Sequence, residues 1–157
     1  MKDIIEILCN EHRIIDEKIK QLDEFTNLKE IDLYQPLQEI LQFLKNEITE
    51  KHHRRENEVL YTWMVEQNKN ADTELINRII SEHNYIDKLI QECLNIMNKP
   101  QDNYIALKMK ILDLTTSYKA HMEKEEKFIF QIANALKCSN RKSKELLNKL
   151  IKIPRKA

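Results

Sequence analysis

Apolar residues recur every three or four positions along four stretches of the chain, the spacing that places them on one face of an α-helix. The first stretch, about 2–24, carries Ile5, Leu8, Ile15, Ile19 and Leu22. The second, about 33–67, opens with Asp32 as a cap and Pro36 in its first turn, then aligns Leu37, Leu41, Leu44, Ile48, Val59 and Trp63. The third starts near Asp72 and runs to about 98 with Ile76, Ile79, Ile86, Ile90 and Met97, and Pro100 lies in the break that follows. The fourth runs from Asp102 to about 136 with Leu107, Ile111, Leu114, Tyr118, Phe128, Ile132 and Ala135. Short connections between long helices make neighbours antiparallel. The pattern therefore predicts an all-α protein, an antiparallel up-down-up-down four-helix bundle over residues 1–136. A short basic C-terminal helix is expected within 137–157, packed on the bundle through Leu146, Leu147, Leu150 and Ile151.

The stripes are interrupted by residues of a different kind. In the first helix the series 5, 8, 12, 15, 19, 22 has His12 in a core slot, and in the third the series 76, 79, 83, 86, 90 has His83. In the second, 41, 44, 48, 52, 56, 59, 63 includes His52 and Glu56; in the fourth, 114, 118, 121, 125, 128 includes His121 and Glu125. The interruptions repeat. Glu11-His12-x-x-Ile15-Asp16 returns as Glu82-His83-x-x-Ile86-Asp87, and His52-x-x-x-Glu56 returns as His121-x-x-x-Glu125. Two similar helix pairs, related by an approximate two-fold axis, would then supply two equivalent half-sites at one level of the bundle.

Composition narrows the chemistry. The chain of 157 residues has no glycine, which removes the Gly-rich phosphate loops and the GxSxG nucleophile elbow. Charged residues make up 33% of it and no stretch approaches a membrane-spanning length, so no membrane span is expected. Acids near the start, in MKDIIEIL, argue against a signal peptide, and three unpaired cysteines (Cys9, Cys93, Cys138) fit a reducing, cytoplasmic setting. The net charge of zero divides into +7 from residue 137 onward and −7 before it. A basic tail is compatible with a nucleic-acid or lipid partner; packing against an acidic bundle is the simpler reading, and no nucleic acid is expected.

Buried carboxylates without partners are costly, and two of them facing four imidazoles call for a compensating charge. His and Glu four residues apart lie one above the other on a helix, so each HxxxE offers two ligands to one side. Two divalent ions, two bridging carboxylates and a bridging oxo or hydroxo group leave a small net charge. Imidazole and carboxylate with open positions suit non-haem iron, and the ligand types admit manganese or zinc as well.

These residues carry a resemblance. The order H…HxxxE…H…HxxxE on a helical bundle resembles the hemerythrin-like (HHE, cation-binding) family, with HHRRENEVLY and HMEKEEKFIF as its two ligand segments. The likeness spans about residues 5–135. It implies His12, His52, His83 and His121 as terminal imidazoles and Glu56 and Glu125 as bridging carboxylates of a pair of irons. His53 also lies within reach of Glu56 and competes with His52; the stripe selects His52, and the second repeat has Met122 at the corresponding position. Oxygen carriers of this family have a further histidine where this chain has Asp87 and an aspartate where it has Glu126. The four-histidine set is similar to the iron-centre repair branch that answers nitrosative stress.

Around that set, Tyr118 is read either as a donor to a small ligand or as a core tyrosine, and Tyr85 in the same way. Asp16 and Asp87 are read as acceptors behind the imidazoles or as solvated ion-pair partners, Glu123 and Glu126 as facing water, and Cys9 as a small apolar residue or a redox-active one. The function expected is that of a cytoplasmic di-iron protein binding or reducing O2, NO or peroxide in a stress response or iron-centre repair. The alternative is a non-catalytic iron-storage or iron- or oxygen-sensing module whose basic tail binds a protein partner. A metal-free structural bundle is the third reading.

Overall fold

A computed structural model describes residues 1–27, 34–67, 73–98 and 104–153. Among them the chain is helical throughout apart from short turns. We number five helical rods: α1 (Lys2–Asn27), α2 (34–67), α3 (Thr73–Met97), α4 (104–135) and α5 (Asn140–Lys152). The positions expected to start and break helices at Asp32, Asp72, Pro100 and Asp102 lie outside the described residues. α5 is capped by Ser139, whose side chain accepts a hydrogen bond from the Lys142 backbone N–H at 3.2 Å.

Cross-helix contacts fix how the rods lie. Between α1 and α2, Lys18 sits over the Phe43 ring while Glu11 reaches His52. Between α2 and α3, Lys45 meets Gln91, Thr49 meets Asp87 and Asn57 meets His83. Between α3 and α4, Lys110 meets Glu92 and Tyr85 meets Asp113, while His121 meets Glu82. Between α4 and α1, Lys119 pairs with Asp23 and His12 with Glu126. In every pair one residue number rises as the other falls.

Two apolar clusters fill the interior. One is built from Ile15, Ile19, Leu22, Leu41, Leu44, Ile48, Ile86, Ile90, Leu114 and Tyr118 among others. The other gathers Ile4, Leu8, Val59, Leu60, Trp63, Ile76, Ile79, Ile129, Phe130, Leu146 and Leu150. Each buried aliphatic side chain contributes about 1.5–3 kcal/mol. The polar interruptions read from the sequence fall between the two clusters on all four long helices. They form one polar layer across the interior.

Two rods depart from α-helical geometry around that layer. α2 is π-helical over Lys45–His52 and Glu56–Tyr61, and α4 over Glu125–Ile129. A π-turn bonds i to i+5 and so takes in one extra residue. In α4 this moves the inward face on by one position. Ile129 and Ala133 take the buried places expected for Phe128 and Ile132, and Phe128 is 58% exposed. In α2 it brings Leu60, Tyr61 and Met64 inward beside Val59 and Trp63. In α5 Leu146 and Leu150 are buried as expected, but Ile151 faces solvent.

Candidate metal centre

The polar layer contains His12 from α1, His52, His53 and Glu56 from α2, His83 from α3, and His121 and Glu125 from α4, each at most 1% exposed. They form three overlapping groups, within each of which one ligand atom per residue lies within 4.8 Å of the others. His12, His52, Glu56 and Glu125 make one group; Glu56, His83, His121 and Glu125 make a second; His53, His83 and His121 make the third. The six sequence-predicted ligands are thus brought together, with the two glutamates common to both halves. His53 stood as the competitor of His52. The structure buries both, in different groups.

All five rings are held in the same way. Each Nδ1 meets an oxygen acceptor: Glu126 for His12 (2.9 Å), Glu11 for His52 (3.0 Å), Asp87 for His53 (2.8 Å), Asn57 for His83 (2.9 Å) and Glu82 for His121 (3.2 Å). A neutral imidazole has one N–H. With that proton on Nδ1, every Nε2 lone pair is directed to the middle of the layer. Metal-ligating histidines are typically fixed by just such a second partner.

Several inward atoms lack a hydrogen-bond partner among the described residues. They are Nε2 of His12, His52, His53 and His121, both oxygens of Glu56 and Oε2 of Glu125. The Nε2 atoms of His12 and His121 lie 3.2 Å from Glu125 Oε2 without hydrogen-bond alignment. Unsatisfied buried polar groups each cost about 1–3 kcal/mol, more when charged. Nitrogen and carboxylate donors converging from four helices fit divalent metal binding, which would use these atoms as ligands.

Without a cation the layer distributes its protons unevenly. Burial raises the Glu56 carboxyl, and the neighbouring Glu125 pushes it further, well above the usual range. Burial works the same way on Glu125, but the charge of His121 and the contacts from His12, His121 and His83 overcome it and hold Glu125 well below that range. Burial opposes charge on His12 too, yet Glu125 and Glu126 raise it to about 9. Burial dominates at His52, lowering it to about 4, and at His53, which falls well below the ordinary value.

The partners behind the rings repeat the internal symmetry. Glu11 and Glu82, each just before the histidine of α1 or α3, serve His52 and His121. Asn57 and Glu126, each just after a central glutamate, serve His83 and His12. The Phe130 ring stacks on His12 at 5.5 Å and the Tyr61 ring on His83 at 5.8 Å, and the Tyr61 hydroxyl donates to Glu125. Glu126, expected to face water, is 45% exposed at its side chain yet accepts from His12. Asp87 does stand behind an imidazole, that of His53, whereas Asp16 pairs with Lys20. Tyr118 is fully buried with its hydroxyl unpartnered among the described residues, and Tyr85 is an exposed residue bonded to Asp113. Cys9 is half-buried, and burial followed by the Glu126 charge raises its thiol. Glu11, Asn57 and Tyr61 were not singled out in the sequence. The repeat set Glu11 next to His12 and Glu82 next to His83, which marked the two glutamates as equivalent but not the rings of the neighbouring helices that they serve.

Glu11 leads away from the layer. Its second oxygen pairs with Arg55, and Arg55 Nη2 donates to the Ile153 carbonyl at the end of α5, 3.4 Å away.

A family model described as the hemerythrin HHE cation binding domain matches residues 3–133. No curated protein and no solved structure matches the chain. Among the described residues, no helix is long and apolar enough to cross a membrane.

Proposed function

The chain belongs to the hemerythrin HHE cation-binding family, and on that premise we propose that it is a cytoplasmic non-haem di-iron protein that binds or reduces O2, NO or peroxide. The site would consist of His12, His52, Glu56, His83, His121 and Glu125, with the two glutamates spanning the metal positions. The architecture belonging to this reading is an up-down-up-down bundle over 1–136 with a basic helical tail over 137–157. A role in nitrosative or oxidative stress, or in repair of iron centres, follows from the same ligand set.

The observation that carries the proposal is the layer itself, with unpartnered Nε2 and carboxylate atoms directed inward and every Nδ1 tied outward. Iron held there supplies Lewis acidity and electron exchange to a small ligand. The residues of the chain do the rest. Glu126, Glu11, Asn57 and Glu82 accept from Nδ1 and fix the orientation of the imidazoles, so that each Nε2 is the atom turned to the metal positions. Tyr61 holds Glu125 in place. Leu8, Ile15, Leu60, Ile86 and Phe130, all fully buried, close the layer above and below and exclude water.

The experiment is metal analysis and visible spectroscopy on protein purified without oxygen, then exposed to air and to azide. About two irons per chain and a charge-transfer band that appears on oxidation and shifts with azide are expected. No iron after anaerobic reconstitution, with an unchanged melting temperature, would sink the proposal in favour of a metal-free structural bundle.

One observation favours the second reading, a storage or sensing module that signals through its tail. His52, Glu11, Arg55 and the Ile153 carbonyl form an unbroken line of contacts from the layer to the end of α5. A sensor would change hydrogen-exchange protection of α5 with iron; a reactive centre would turn over peroxide or NO while α5 stays the same.

A further inference from the structure

The approximate two-fold relation maps most polar groups near the layer onto counterparts. His12 answers to His83, His52 to His121, Glu56 to Glu125, Glu11 to Glu82, and Asn57 to Glu126. Among the imidazoles one has no counterpart of its kind, because Met122 stands where the relation would place a second His53.

His53 shares the burial and the outward-tied Nδ1 of the other four rings, and a ligand atom of it lies within 4.8 Å of those of His83 and His121. It is 1% exposed and its Nε2 has no hydrogen-bond partner among the described residues. Its ring stacks on His83 with centroids 3.9 Å apart. Its Nδ1 is fixed at 2.8 Å by Asp87 Oδ1, and the same carboxylate oxygen is held by the Thr49 hydroxyl. Asp16, the counterpart of Asp87, has no imidazole to serve and pairs with Lys20 instead. A purely structural histidine at this place would leave a buried nitrogen unsatisfied, where a methionine or leucine would pack without that cost.

Resting on the dinuclear reading above, we propose that His53 is a fifth imidazole ligand and makes the two metal positions unequal. His53, His83 and His121 serve one position, His12 and His52 the other, and Glu56 and Glu125 are shared. The asymmetry extends outward. Asp87 and Glu82 stand behind two rings of the three-imidazole side and neutral Asn57 behind the third, while Glu126 and Glu11 stand behind the two-imidazole side.

The test uses the full chain loaded with iron-57 without oxygen and then oxidised. Wild type should hold two irons and show two Mössbauer quadrupole doublets of equal area. In His53→Leu one doublet should shift, and one of the two irons should bind at least about ten-fold more weakly, the scale on which even supporting residues act. The melting temperature of the metal-free chain should not fall. A single doublet in wild type, or a His53→Leu chain that keeps both doublets and both affinities, would overturn the proposal and leave the dinuclear reading standing. Fewer than two irons in wild type would remove the dinuclear reading and this inference with it. Should His53→Leu fail to fold, His53→Gln, which retains a donor for Asp87 but no imidazole, carries the same measurement with the same expected and overturning results.

Discussion

His12 and His52 lie with ring centroids 4.6 Å apart, yet their surroundings push them in opposite directions. His52 is sealed from water and its acceptor, Glu11, is already matched by Arg55 and Lys51, so desolvation wins and the ring stays neutral. His12 sits between the carboxylates of Glu125 and Glu126, which overcome the same desolvation. The consequence is a pH dependence of the metal-free fold. The folded value of His12, about 9, lies above its ordinary 6.5, so the stabilisation it contributes is fully present below pH 6.5 and is lost as pH rises to about 9. His121 is raised as well, against burial, by Glu125 and Glu82, and acts in the same sense. Chelator-treated protein should therefore melt at progressively lower temperature from pH 6.5 to 9. A flat or rising profile across that window would contradict the arrangement. Cation binding, which needs free Nε2 lone pairs and ionised carboxylates, should release protons from His12, His121 and Glu56 and strengthen as pH rises.

At the scale of a helix, the π-turns decide which residues face inward after the glutamates. An α-helix continuing from His121 and Glu125 would present Phe128 and Ile132; the extra residue of the Glu125–Ile129 turn presents Ile129 and Ala133 instead. Deleting exposed Lys127 should let α4 close as an ordinary α-helix with Ile129, Phe130 and Ala133 still in the core. Thermal melting followed by circular dichroism should remain cooperative. Deleting Lys108, in a regular part of the same rod, should rotate everything beyond it by about 100° and abolish the cooperative transition. If both deletions behave alike, the turn is not the source of the shift. This geometry also marks where sequence reading stops. The stripes placed His12, His52, His83, His121 and the two glutamates on inward faces, because their three- and four-residue spacing survives up to those positions. Nothing in the composition of EEKFI or ENEVLY betrays an i to i+5 turn. The exposure of Phe128, the burial of Tyr61 and the inward place of His53 together with His52, rather than in its stead, were therefore illegible, and so was the pairing of each acceptor with its ring, which depends on contacts between helices.

Across the whole molecule, the polar layer divides the interior into two apolar clusters, and α5 belongs to one of them. Leu146 and Leu150 share a core with Ile4, Leu8, Val59 and Trp63. Leu150→Ala should cost about 2–5 kcal/mol in urea denaturation, the range for truncating a buried leucine. An appendage that only touched the bundle would lose well under 1 kcal/mol. The two-fold relation has its own consequence. A homodimer of a single helical hairpin, closing about a true axis, would have to repeat each of its residues in both copies. Whatever stood at one end of such a site would stand at the other. Joining the halves in one chain lifts that constraint, since each position is then encoded separately. The departures already described all use this freedom: His53 against Met122, Tyr61 against Phe130, Asn57 against Glu126. A covalent connection between hairpins that look interchangeable is what permits the two ends of the centre to become different in kind.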